Sequence, residues 1–131
     1  MKPLQNLALL VVVIFTCTNL TRAQTKLDKK SSTIIVTYGY VGCTCAQWVI
    51  NDSRIKTIDA EYIYLEPANS KLIDADNLPD GLHITNVKVT GHFYMKKGYP
   101  KNFIVGKGDP KPARVFRYDK IQKLRGKDKN I

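Results

Sequence analysis

The sequence predicts a single, mostly β domain with at most one short helix. Short runs rich in β-branched and aromatic residues recur from residue 33 to residue 121, several of them alternating along the chain. Clusters of Gly, Pro, Asn and Asp separate these runs, and those residue types build turns. No apolar stretch with a 3.6-residue period is long enough for a substantial helix.

The first run is 33–41 (TIIVTYGYV), in which Ile34, Val36, Tyr38 and Tyr40 share one face of an extended chain. Gly39 and Gly42 interrupt it, and apolar character resumes in 46–50 (AQWVI), giving one long bent strand or two strands joined near Gly42. A third strand is expected over 61–66 (EYIYLE), stopped by Pro67. Residues 67–80 hold Asn69, Ser70, Asp74, Asp76, Asn77, Pro79 and Asp80, a connection with room for one helical turn around 70–73. The longest run is 83–95 (HITNVKVTGHFYM), with Val87, Val89, Phe93 and Met95 on one face and Gly91 as a kink. The glycines, prolines and lysines of 98–112 (GYPKNFIVGKGDPKP) predict a long loop. Alternation returns in 113–121 (ARVFRYDKI).

The beginning of the chain speaks to compartment. Lys2 is followed by the apolar run 7–15 (LALLVVVIF) and then by Thr21-Arg22-Ala23, with small residues at −3 and −1 of a cut after Ala23. This is the layout of a secretory signal peptide over 1–23, and the apolar run is far shorter than the ~20 residues that span a bilayer. The expectation is an exported, periplasmic or extracellular protein without a transmembrane segment. The alternative is a cut before Cys17, where a bacterial outer-membrane lipoprotein keeps its acylated cysteine; Ile14-Phe15-Thr16 fit that signal less well. Residues 24–32 (QTKLDKKSS) are polar and aperiodic, a flexible leader. Charge is placed unevenly. Residues 24–80 carry 6 Lys/Arg and 8 Asp/Glu, whereas 81–131 carry 13 and 3, so the second half alone holds a net +10. Part of that excess is a basic C-terminal tail, 125–131. Such asymmetry suits an anionic partner.

The order of elements resembles the OB-fold, a five-stranded Greek-key barrel, over roughly residues 33–123. The resemblance implies a single small OB-like barrel over 33–124, with mid-strand glycines letting long strands coil. A β-sandwich fragment shares the strand count. The signal followed by such a domain is similar to small exported bacterial OB-fold proteins, most of which have no established function.

The one local pattern with chemistry is Gly42-Cys43-Thr44-Cys45-Ala46. On a straight strand Cys43 and Cys45 would lie about 7 Å apart at Cα, at the limit of bridging, so a disulfide needs a tight bend. Four readings stand: a local disulfide, two buried inert cysteines, a redox pair, or a copper(I) or zinc site drawing on His83, His92 and Met95. The Cys-x-Cys is also similar to that of metalloproteinase inhibitors built on an OB-like barrel, where the first cysteine opens the mature chain; Cys43 lies well inside this one. Neither Gly-x-Ser-x-Gly nor His-Glu-x-x-His is present, and Asp74, Asp76 and Asp80 lack calcium-loop spacing, which leaves turn formation as their role. Asn51-Asp52-Ser53 fits a glycosylation sequon, relevant in a eukaryotic secretory pathway.

What remains is a binding surface. Lys96, Lys97, Lys101, Lys107 and Lys111 alternate with Tyr94, Tyr99 and Phe103, cations beside aromatic faces of the kind an OB barrel uses on anionic polymers. The expected function is a non-enzymatic, monomeric binding module without cofactor or metal. Its binding residues are Lys96, Lys97, Tyr99, Lys101, Phe103 and Lys107, and its partner is an anionic envelope glycan or protein. Export sets nucleic acid aside. The alternative is a thiol redox or copper/zinc protein working through Cys43 and Cys45.

Overall fold

The computed structural model describes residues 26–51, 60–80 and 84–125. The segment expected as a signal (1–23), Cys17, the sequon positions Asp52 and Ser53, His83 and residues 126–131 of the tail lie outside them. Five strands form: β1 Ser32–Tyr38, β2 Trp48–Ile50, β3 Tyr62–Pro67, β4 Asn86–Phe93 and β5 Val115–Leu124. They close into a barrel in the order β1-β2-β3-β5-β4, with β4 returning to β1. Every pairing is antiparallel except that of β3 with β5, which is parallel. The chain is thus an OB-like five-stranded barrel whose sheet has no free edge.

Period-two alternation explains the interior. Val36, Trp48, Ile63, Leu65, Val87, Val89, Phe116 and Tyr118 fill the barrel, each at most 4% exposed. Ile34 and Tyr38 pack against that cluster from the face expected of them. Phe93 meets Phe116 edge-on at 4.8 Å, on the face shared with Val87 and Val89. Two residues depart from the expected stripes because their strands end first. Tyr40 lies past β1 with φ 51° and is half exposed, and Met95 lies past β4 and is 60% exposed.

Between β4 and β5 the register shifts by one: Thr90 faces Lys120, Gly91 faces Tyr118, and Asp119 is the extra residue of a β-bulge. A β-carbon on Gly91 would collide with the Arg117 carbonyl and lie 2.7 Å from Tyr118 Cα, so the close approach of the two backbones requires glycine here.

A second apolar cluster lies outside the barrel, on β3 and β5. Ala46, Tyr64, Tyr94 and Val115 form it, and Leu27, Phe103 and Ala113 pack over it. Consequently β3 is buried on both faces, from Ile63 through Glu66. Part of the segment expected as a flexible leader belongs to this layer. Leu27 bridges to Tyr94, the Asp28 N–H donates to Phe93 O at 2.8 Å, and the Met95 N–H donates to Lys26 O at 3.0 Å.

The short helical element is a 3-10 turn at Ala75–Asn77, displaced from the expected 70–73, where only a turn closed by Leu72 N–H on Asn69 O forms. The Asp74 side chain accepts the Asp76 N–H and fixes the start of the 3-10 turn. Among the described residues no helix is long and apolar enough to cross a membrane.

Candidate functional site: a cleft walled by three loops

The β1–β2 connection, the β3–β4 connection and the long β4–β5 loop meet at one end of the barrel and enclose a cleft of about 550 Å³. Each wall is held by specific contacts.

The β1–β2 connection is zipped by one amide. Gln47 accepts the Val41 N–H at 2.9 Å and donates to Val41 O at 2.8 Å and to Cys43 O. This bend brings Cys43 and Cys45 to a Cα separation of 5.2 Å, at disulfide distance, both on the cleft wall. The β4–β5 loop then docks on that connection. Thr44 donates from its N–H (2.9 Å) and its Oγ1 (3.1 Å) to Lys107 O, and Gly106 N–H donates to Thr44 Oγ1 at 3.3 Å. Gly108, at φ +91°, passes so close to Cys43 that a β-carbon there would sit 2.6 Å from Cys43 Cβ.

The β3–β4 connection is pinned from inside. The buried Tyr118 hydroxyl donates to Ile73 O at 2.7 Å and accepts the Ala75 N–H at 3.0 Å. The Trp48 indole N–H donates to Asp76 Oδ1 at 2.7 Å. Burial of its carboxyl holds Asp76 above the usual carboxylate range; the indole hydrogen bond opposes this and the Asp74 charge adds to it. Burial also raises Tyr38, with the Asp76 charge contributing.

At the base of the cleft sits Glu66, 5% exposed. Its Oε1 accepts the Tyr94 hydroxyl at 2.6 Å and its Oε2 accepts the Lys101 N–H at 2.8 Å. Arg117 Nε lies 3.8 Å from Glu66 Oε1, and among the described residues this buried Nε has no hydrogen-bond partner. Arg117 instead spends its terminal N–H on Ala68 O at 2.9 Å. Desolvation, then the hydrogen bond to Glu66 and its charge, push Tyr94 up to about 12. Both Glu66 oxygens are engaged in fixing the β4–β5 loop, so this carboxylate works as an anchor.

Of the expected binding residues, Lys101 and Phe103 line the cleft. Tyr99 stacks on Phe103 at 4.7 Å with planes 26° apart, both rings lean on Tyr64, and the Tyr99 hydroxyl donates to Pro110 O at 3.0 Å. Those ring faces therefore serve the loop's own packing. Lys107 contributes its carbonyl to Thr44 and leaves its side chain exposed. Lys96 and Lys97 are exposed outside the cleft lining, and Lys97 pairs at 3.7 Å with Glu61, which also meets Arg114 at 3.4 Å. His92 Nδ1 is within 2.8 Å of Asp28 O, and among the described residues no three His, Cys, Asp or Glu side chains converge in a group that could hold a metal ion. The sequence reading missed Gln47, Asn69, Ser70, Asn102 and Arg117 as cleft residues. Asn69 and Ser70 carried a turn signal only, and nothing local marks the others.

Fold and cleft together define a class: a small OB-like barrel with a polar, partly aromatic cleft between its loops. Comparison of the chain with family models, with curated proteins and with solved structures finds no match in any of the three.

Proposed function

We propose that this chain is an exported, non-enzymatic binding module for an anionic glycan of the cell envelope, akin to small exported bacterial OB-like proteins. One observation carries the reading. A cleft of about 550 Å³, within the size range of small-ligand sites, combines side-chain amides and a hydroxyl (Asn69, Asn102, Ser70) with the ring of Phe103 and the exposed Lys101. Amides and hydroxyls suit the many donors and acceptors of a sugar, a ring edge suits its apolar face, and a lysine at the mouth suits its carboxylate or sulfate. The net +10 of the second half supplies long-range attraction.

The test is binding of the mature chain to an acidic polysaccharide (polygalacturonate) and a neutral one (dextran) at two salt concentrations. Preferential, salt-weakened binding to the acidic polymer, reduced about fivefold or more by Lys101→Glu with Asn102→Ala, supports the reading. Equal retention on both polymers, or an unaffected variant, overturns it. Intact mass of the native protein, beginning at Gln24, tests export.

A second reading rests on Cys43 and Cys45 lying at disulfide distance in the cleft wall: a thiol–disulfide exchange site. It expects catalysis of exchange with a dithiol, abolished by replacing both cysteines with serine.

A further inference from the structure

We propose that the tip of the β4–β5 loop, Ile104-Val105, is a docking finger that inserts into the surface of an anionic lipid bilayer. Ile104 is 82% and Val105 68% exposed. Single apolar residues at a surface need no explanation, but here two aliphatic side chains stand adjacent at the tip of a loop that the fold takes care to hold out. On the near side, Phe103 is stacked on Tyr99 and its N–H donates to Pro100 O at 3.1 Å. On the far side, Gly106 and Lys107 are hydrogen-bonded to Thr44, and Gly108 abuts Cys43. With both flanks bolted to the barrel, Ile104 and Val105 are braced in an outward position.

The charges around the tip name the partner. Lys101 and Lys107 flank it, both exposed, and no acidic residue occurs in the sequence from Lys96 to Gly108. The next acid, Asp109, is paired with Lys111 at 2.6 Å. Aliphatic side chains offer a sugar neither a ring face nor a hydrogen bond, and a projecting tip offers a folded protein little area. A headgroup layer asks for neither. It accepts aliphatic groups to a depth of about 5–10 Å while lysines meet lipid phosphates, each worth about fivefold in affinity near an anionic surface. Ile104 and Lys101 also line the cleft, so the finger shares that end of the barrel with the glycan reading, and vesicles, which contain no glycan, separate the two.

The experiment is co-sedimentation of the mature chain with vesicles of phosphatidylglycerol and phosphatidylcholine, 1:1, against phosphatidylcholine alone. The wild-type chain is expected to bind the anionic vesicles selectively. Ile104→Ser with Val105→Ser should weaken binding about tenfold while leaving its salt dependence, and Lys101→Gln with Lys107→Gln should weaken it about 25-fold and flatten that dependence. All four side chains are exposed, so the thermal midpoint should not move. Ile104→Trp adds a reporter whose emission should shift to the blue on anionic vesicles. Absence of wild-type binding, an undiminished double-serine variant, or an unshifted tryptophan each overturns the proposal.

Discussion

Replacing Tyr118 with phenylalanine removes a single oxygen that holds one wall of the cleft. That hydroxyl donates to Ile73 O and accepts the Ala75 N–H, and Tyr118 and Ala75 are both fully buried. The two partners left behind are not equivalent. Ile73 is 60% exposed, so its carbonyl can turn to water at little cost. The Ala75 N–H cannot, and a buried unpaired donor costs about 1–3 kcal/mol. Adding the lost hydrogen bond to Ile73, about 1 kcal/mol, gives an expected destabilisation of about 2–4 kcal/mol. For a domain of this size each kcal/mol lowers the midpoint by about 4–8 °C, so Tyr118→Phe should melt about 8–32 °C below the wild type. Urea unfolding followed by far-ultraviolet circular dichroism gives the free energy directly. Tyr62→Phe is the control: Tyr62 is 41% exposed, and its substitution should change stability by less than about 0.5 kcal/mol. A loss below about 0.5 kcal/mol in Tyr118→Phe would refute the claim that the hydroxyl fastens the β3–β4 connection.

Three other outcomes follow from the same geometry. Gly91→Ala forces a β-carbon into the Arg117 carbonyl and should cost about 3 kcal/mol or more, read as a lowered urea midpoint; a midpoint within 0.2 M of wild type contradicts the close approach. Burial raises both Tyr94 and Tyr118 to about 12 from an ordinary value of 10.0, so the folded state holds these protons more tightly than the unfolded chain. Their contribution is intact below pH 10 and is lost as pH rises from 10 to 12, on the order of 3 kcal/mol for each phenol; Tyr94→Phe should flatten this alkaline limb, and an unchanged limb argues against it. Glu66→Gln replaces an acceptor-only group bonded to Tyr94 and Lys101 N–H, and should destabilise by about 1–3 kcal/mol while leaving the far-ultraviolet spectrum native; an unaltered melting curve counts against its role as an anchor.

The barrel was legible where burial is one-sided. Alternation in 33–38 and 86–90 marks one face for the core, and the interior of β1 and β4 follows it residue by residue. It was less legible where a second layer covers the outside. Tyr64 and Glu66 sit on the outer face of β3, and their burial depends on Tyr94 and the β4–β5 loop, over twenty residues away in sequence. The turn moved from 70–73 to Ala75–Asn77 because its anchor, the Tyr118 hydroxyl, belongs to a distant strand, whereas local composition offered turn formers throughout 69–80. The cleft shows the same division. Lys101 and Phe103 line the cleft and lie on a loop whose cationic, aromatic composition marks it in the sequence. Gln47, Asn102 and Arg117 were missed because what places them is the meeting of three loops. Tyr99 and Phe103 were expected to offer their faces to a ligand, but an aromatic pair four residues apart in a loop can satisfy itself, as the 4.7 Å stack does.

The bulge opposite Gly91 makes β5 two half-strands spliced by one residue. Phe116 and Tyr118 face inward, and uninterrupted alternation would next send Lys120 into the apolar interior. The extra residue, Asp119, resets the parity, so that Lys120 stays at the surface and Ile121 takes the inward place. Two hydrophobic phrases written in opposite phase are thereby reconciled within a ten-residue strand. The chain can gain or lose length at the ends of β5, but pairing Asp119 into a regular ladder, with no bulge, would turn the lysine-rich half of the strand inside out.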